Sequence, residues 1–112
     1  MAIRVASAPV SWGVMEETED ALWLPPEQTM AEIKQAGFDG TELGALGYYP
    51  TEVGELRAAL DRHGLTLCSA FAPVGLFEPQ RREADLAGVR HIAGLLHEIG
   101  RASCRERVYV LV

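Results

Sequence analysis

A chain of 112 residues is close to the size of one domain, so it forms one folding unit or part of one. With 48% apolar and 23% charged residues it has the composition of a globular protein, and its apolar runs are all shorter than the ~20 residues a membrane-spanning helix needs. A formal net charge of −6, with no basic run longer than Arg81-Arg82, shows no basic face to offset the phosphates of nucleic acid, so neither nucleic acid nor, without a spanning run, a membrane is an expected partner.

The start, Met1 to Val5, lacks a basic head, a long apolar stretch and a cleavage site, and is taken as a mature N-terminus of a cytoplasmic protein. Cys68 and Cys104 make neither a zinc spacing nor a disulfide framework, and Cys68 is expected as a small buried residue of a strand.

A first strand is predicted from Ile3 to Ala8, followed by a loop with Ser11-Trp12-Gly13. Leu24-Pro25-Pro26 opens a helix, because proline suits a first turn whose N–H has no partner. Met30 and Ile33 share one face of it, and Gly37 sits where a left-handed cap is wanted. The second strand is predicted over Gly40 to Leu43, and the second helix near Thr51 as N-cap, with Glu52 and Glu55 in the first turn. Val53, Leu56 and Leu60 form its buried stripe and Gly64 ends it. The third strand spans Leu65 to Phe71, and a third helix runs from about Arg82 toward His97 with Val89, Ile92, Ala93 and Leu96 facing inward.

Strand–helix alternation with short connections calls for parallel strands, but periodicity does not separate an open doubly wound sheet from a closed barrel. The first loop has no G-x-G-x-x-G, so nothing specific favours a dinucleotide fold. There is likewise no P-loop and no local Ser-His-Asp or Cys-His arrangement.

Three motifs in order carry a family resemblance. Ser7-Ala8-Pro9-Val10-Ser11-Trp12-Gly13-Val14 resembles the first strand and loop of the sugar phosphate isomerase/epimerase family, whose fold is the xylose isomerase-like TIM barrel. Ala36-Gly37-Phe38-Asp39-Gly40-Thr41-Glu42-Leu43-Gly44 resembles the second unit, and His63-Gly64-Leu65-Thr66-Leu67 the third. The Ala-Pro-x-Ser-Trp-Gly form and Gly47-Tyr48-Tyr49-Pro50 are most similar to inosose dehydratase-like members. The resemblance covers about residues 3 to 97 and implies an α/β fold, the first three units of a (β/α)8 barrel.

It also implies a metal-dependent isomerase, epimerase or dehydratase of a sugar, sugar phosphate or inositol-derived ketone. A divalent metal (Mn, Co or Mg) would be held by Glu, Asp and His from later strands, with no ligand among the matched positions. Because a TIM barrel takes ~250 residues, residues 1–97 are expected to be an N-terminal fragment, inactive by itself and without a tight metal site. Two other classes remain: a polyol-binding barrel without catalysis, and a free-standing interaction protein. The second would leave an unpaired strand edge exposed.

From Glu98 to Val108 the sequence resembles the in-frame translation of a sequencing adapter, which marks 98–112 as a foreign tail. The alternative is a fourth strand over Val108 to Val112, whose residues suit one.

Among candidate site residues, Trp12 follows the first strand, on the face where barrel active sites lie. It is either an apolar wall for a sugar's carbon face or a cover over the barrel mouth. Glu42, near the end of the second strand, is a substrate or metal-water contact, or an outward carboxylate. Phe71 is a substrate-pocket candidate, as are Phe77, Tyr48 and Tyr49, against plain packing for each. His63 suits a helix C-terminus. His91 and His97, six apart, do not share a helix face and are expected at the surface. No catalytic residue is assigned.

Overall fold

Each strand runs parallel to its neighbour, so every return passes through a crossover. β1 (Ala6–Ser7), β2 (Gly40–Glu42), β3 (Thr66–Pro73) and β4 (Arg107–Leu111) lie side by side in chain order. Helices α1 (Pro26–Gln35), α2 (Val53–His63) and α3 (Arg82–Gly100) alternate with them. The computed structural model describes residues 3–15, 19–100 and 107–111. A doubly wound sheet reverses its strand order at a switch point, whereas a barrel adds each strand on the same side. The order β1-β2-β3 is compatible with a barrel wall, and β4 extends it at the edge. The fold class is α/β, a partial (β/α)8 barrel.

The core lies between the sheet and the helices. Met30 and Ile33 of α1, Leu56 and Leu60 of α2, and Ile92, Leu95 and Leu96 of α3 pack with Leu67, Ala70 and Ala72 of β3. Gly37 (φ 99°) and Gly64 (φ 63°) close α1 and α2 as expected, in the left-handed region that a Cβ disfavours.

Three sequence expectations shift. β1 is two residues long rather than six: Ile3 and Val5 are exposed on the sheet's unpaired edge, although the Asp39 amide still donates to the Val5 carbonyl at 2.7 Å. The cap of α2 is Glu52, not Thr51. Its carboxylate accepts from the amides of Gly54 (2.9 Å) and Glu55 (2.8 Å), and an anion matched to two free N–H groups at a helix start outdoes a neutral hydroxyl. In α3 Val89, Ile92 and Leu96 face inward as expected and Leu95 joins them, while Ala93 faces solvent.

The segment set apart in the sequence at 98–112 divides in the structure. Residues 98–100 continue α3, with the Arg57 guanidinium donating to the Glu98 carbonyl at 2.6 Å, and 107–111 pair in parallel with β3 from Ser69↔Arg107 to Pro73↔Leu111. Residues 101–106 and 112 lie outside the described residues. Strand pairing at an open edge is a property of backbone and β propensity, and carries no information on a segment's origin.

Two glycines respond oppositely to a methyl group. Gly44 has φ 74°, and a Cβ there would fall 2.8 Å from Pro9 Cγ, whereas Gly94 sits in α3 with nothing within 4 Å of its Cβ position. Gly44→Ala is expected to lower stability by about 1–3 kcal/mol, and Gly94→Ala to raise it by about 0.5–1 kcal/mol, both measured by urea unfolding. The amides of Gly54 and Glu55 hold the Glu52 carboxyl below its ordinary value. A lowered folded value means the cap's stabilisation is full above the usual carboxylate range and is lost as pH falls on through the lowered value. The stability gap between the native chain and Glu52→Ala should therefore be full at neutral pH and close in acid, as followed by helical circular dichroism.

Candidate functional site

The C-terminal ends of β1, β2 and β3 open onto one face, and a cleft of about 310 Å³ lies there. The first loop contributes Ala8, Val10, Val14 and Met15; the second unit contributes Glu42, Gly44 and Ala45; β3 contributes Phe71. The walls are apolar, and Glu42 is the ionisable side chain on them.

How Glu42 and Phe71 come to share this cleft follows from strand register. Gly40 pairs with Thr66 and Thr41 with Leu67, but Glu42 pairs with Ser69, a slip of one residue that leaves Cys68 unmatched. Paired residues in a sheet project to the same side, and successive residues to opposite sides. Thr41 and Leu67, both buried, face the helices. Without the slip, strict alternation would send Ser69 and Phe71 to that same side. The extra residue rephases β3, so Ser69 and Phe71 fall in step with Glu42.

Side chains fill the bonding positions that the slip disturbs. The Cys68 thiol donates to the Thr41 carbonyl at 3.4 Å, and the Thr41 hydroxyl donates to the Glu42 carbonyl at 2.8 Å. The ladder resumes where the Leu43 amide donates to the Ser69 carbonyl at 2.9 Å. Burial first, and the Glu42 carboxylate nearby, push the Cys68 thiol up, which leaves it a weak nucleophile. Cys68 is half-buried in β3.

Of the residues expected from sequence, Glu42 and Phe71 meet at the cleft, while Trp12 packs against the core cluster from its 3-10 turn (Pro9–Trp12) and is not among the lining residues. Tyr48 and Tyr49 are buried in the core, stacked with ring centroids 5.3 Å apart. The Tyr48 hydroxyl donates to the Leu24 carbonyl at 2.6 Å and meets the Thr29 hydroxyl at 2.7 Å; that of Tyr49 meets Thr41 at 3.0 Å. Burial pushes the Tyr49 phenol up to about 12. Phe77 lies 91% exposed on the third loop. His63 sits in the last turn of α2 and contacts Glu27, which also pairs with Arg62; His63 first, then Arg62, holds the Glu27 carboxyl low. His91 and His97 are exposed on α3.

Val14 and Gly44 stand at the ends of two motifs and Ala45 just after, but none is marked as a lining residue by sequence, because a small apolar loop residue carries no chemical signature. A positive φ at Gly44 is the one signal that pattern alone can hint at. Among the described residues no group of three or more His, Cys, Asp or Glu side chains is placed to hold a metal ion. The residues present therefore do not fit the metal that the family resemblance implies. Among them, too, no helix is long and apolar enough to cross a membrane.

No family model matches the chain, and no solved structure matches it. Curated relatives do. The rhizopine catabolism protein MocC of Rhizobium meliloti is 34% identical over 100 residues, which is 89% of this chain and 30% of that protein. The inosose dehydratase of Geobacillus kaustophilus is 30% identical over 97 residues, 87% of this chain and 31% of that enzyme. The inosose dehydratase of Histophilus somni is 28% identical over 98 residues, 88% and 32% respectively. The chain thus spans about a third of the length of these relatives. Its strand order, its three motifs and these identities together place it in the xylose isomerase-like barrel family, with the inosose dehydratase-like members.

Proposed function

We propose that this segment forms the first wall of an enzyme that removes water from an inositol-derived ketone. The observation that carries the reading is the cleft itself: one carboxylate, Glu42, set among apolar walls at the strand ends. A cyclic polyol has the matching chemistry. Its ring carbons and axial hydrogens form an apolar face that suits Phe71, Val10 and Val14, while its rim of hydroxyls donates hydrogen bonds that a carboxylate accepts. The names of the two inosose dehydratases support a dehydratase over the isomerase or epimerase that the family resemblance also allows.

The chemistry begins with proton removal from the carbon beside the ketone, followed by departure of a hydroxyl from the next carbon as water. Glu42 serves in binding and orientation rather than as the base. A divalent metal (Mn, Co or Mg) belongs to this proposal only through residues beyond the described ones. Isomerisation would start with the same proton transfer and keep the hydroxyl. A phosphorylated sugar is disfavoured here, because the lining has an anion and no Lys or Arg to meet a phosphate.

The test is a chimera in which residues 3–97 replace the matching segment of the Geobacillus kaustophilus inosose dehydratase. It should turn over inosose and not a ketohexose. Glu42→Gln in that chimera should lower kcat/KM about 10- to 100-fold, the worth of one charge-assisted hydrogen bond. Turnover of the ketohexose alone would overturn the dehydratase reading in favour of isomerisation. The 112-residue chain by itself is expected to show no turnover and no micromolar manganese binding in a calorimetric titration, since the described residues offer no ligand cluster. A micromolar affinity would contradict the placement of the metal site outside this segment.

A further inference from the structure

We infer that Thr41 and Tyr49 are positioning residues, a hydroxyl brace that holds the register slip and so aims the Glu42 carboxylate into the cleft. The inference rests on the reading of Glu42 as a cleft residue and adds what places it there. Thr41 is fully buried, and its hydroxyl carries a single proton. The Glu42 carbonyl, 2.8 Å away, can only accept, so that proton goes to it. The Tyr49 phenol at 3.0 Å must then donate to Thr41. The chain of bonds has one direction, Tyr49 O–H to Thr41 Oγ1 and Thr41 O–H to the Glu42 carbonyl. It requires a protonated phenol, and burial raises the Tyr49 phenol far above neutral pH.

Tyr49 has little freedom to give way. It is 1% exposed and stacks on Tyr48, whose hydroxyl is spent on the Leu24 carbonyl and so accepts from Thr29. The brace falls on the step where pairing jumps from Thr41↔Leu67 to Glu42↔Ser69. A one-residue correction there would restore the ladder and turn the far half of β3 over, sending Phe71 toward the helices. A buried hydroxyl pair that would be left unsatisfied by that move opposes it.

The experiment uses the isotope-labelled 112-residue chain in NMR, with Thr41→Val, Thr41→Ser and Tyr49→Phe. Thr41→Val keeps the shape and loses both bonds; Thr41→Ser keeps the hydroxyl. Thr41→Val and Tyr49→Phe should shift the side-chain carboxyl resonance of Glu42 and the ring resonances of Phe71. Exchange of the Leu43 amide should quicken about tenfold, the worth of about one buried hydrogen bond, and Thr41→Ser should restore all three. The carboxyl resonance of Glu52, held by its own cap, should stay put throughout. Unchanged Glu42 and Phe71 signals in Thr41→Val, or equal shifts at Glu42 and Glu52, would overturn the inference. Collapse of the dispersed spectrum in Thr41→Val and Tyr49→Phe alike would also overturn it, since the hydroxyls would then hold the whole fold rather than aim one side chain. No polyol is present, so this result is independent of whether the chimera dehydrates inosose.

Discussion

Everything on the cleft face depends on where β2 and β3 fall out of step. A parallel ladder fixes the side to which each residue projects, and a single unmatched residue reverses that choice for all that follow. Cys68 is that residue, and the reversal puts Phe71 beside Glu42 while Ala70 and Ala72 turn to α3 and the core. Small alanines on the helix side and a large ring on the mouth side are the two halves of one consequence. The strand is thin where a helix must approach and bulky where a ligand would lie.

The electrostatics of the face follow from the same arrangement. Burial keeps the Tyr49 phenol and the Cys68 thiol neutral. The paired charges sit elsewhere, with Glu27, Arg62 and His63 between α1 and α2, and Glu78, Arg81 and Asp85 around the start of α3. The cleft is left with one anion in apolar surroundings, a setting in which a hydrogen bond from a hydroxyl gains strength. Closure is what three units lack. A barrel pocket needs strands on the opposite side, and the relatives are about three times as long as this chain.

Much of this architecture is legible in the amino acids because it rests on local rules. Gly37 and Gly64 mark helix ends through their positive φ, and Leu56 and Leu60 mark a buried stripe through their spacing. Glu42 and Phe71 stand out as a carboxylate and a ring near strand ends. The remainder depends on partners that spacing does not reveal. A slip between strands 27 residues apart leaves no periodic trace, so the joint placement of Glu42 and Phe71 emerges only from pairing. Glu52 displaces Thr51 as a cap because its longer side chain reaches two amides, a matter of geometry rather than propensity. Trp12 and the Tyr48–Tyr49 pair look alike in sequence, as aromatics in loops, and only packing shows that all three lean on the core.

The contact between Pro9 and Gly44 has a bearing on how such a mouth adapts. With no room for even a methyl group between them, the turn after β1 is nested on the loop after β2, and neither can shift without the other. These two form a fixed jaw. Accommodation of ligands of different outline then falls to the other walls of the cleft, such as Phe71 on β3.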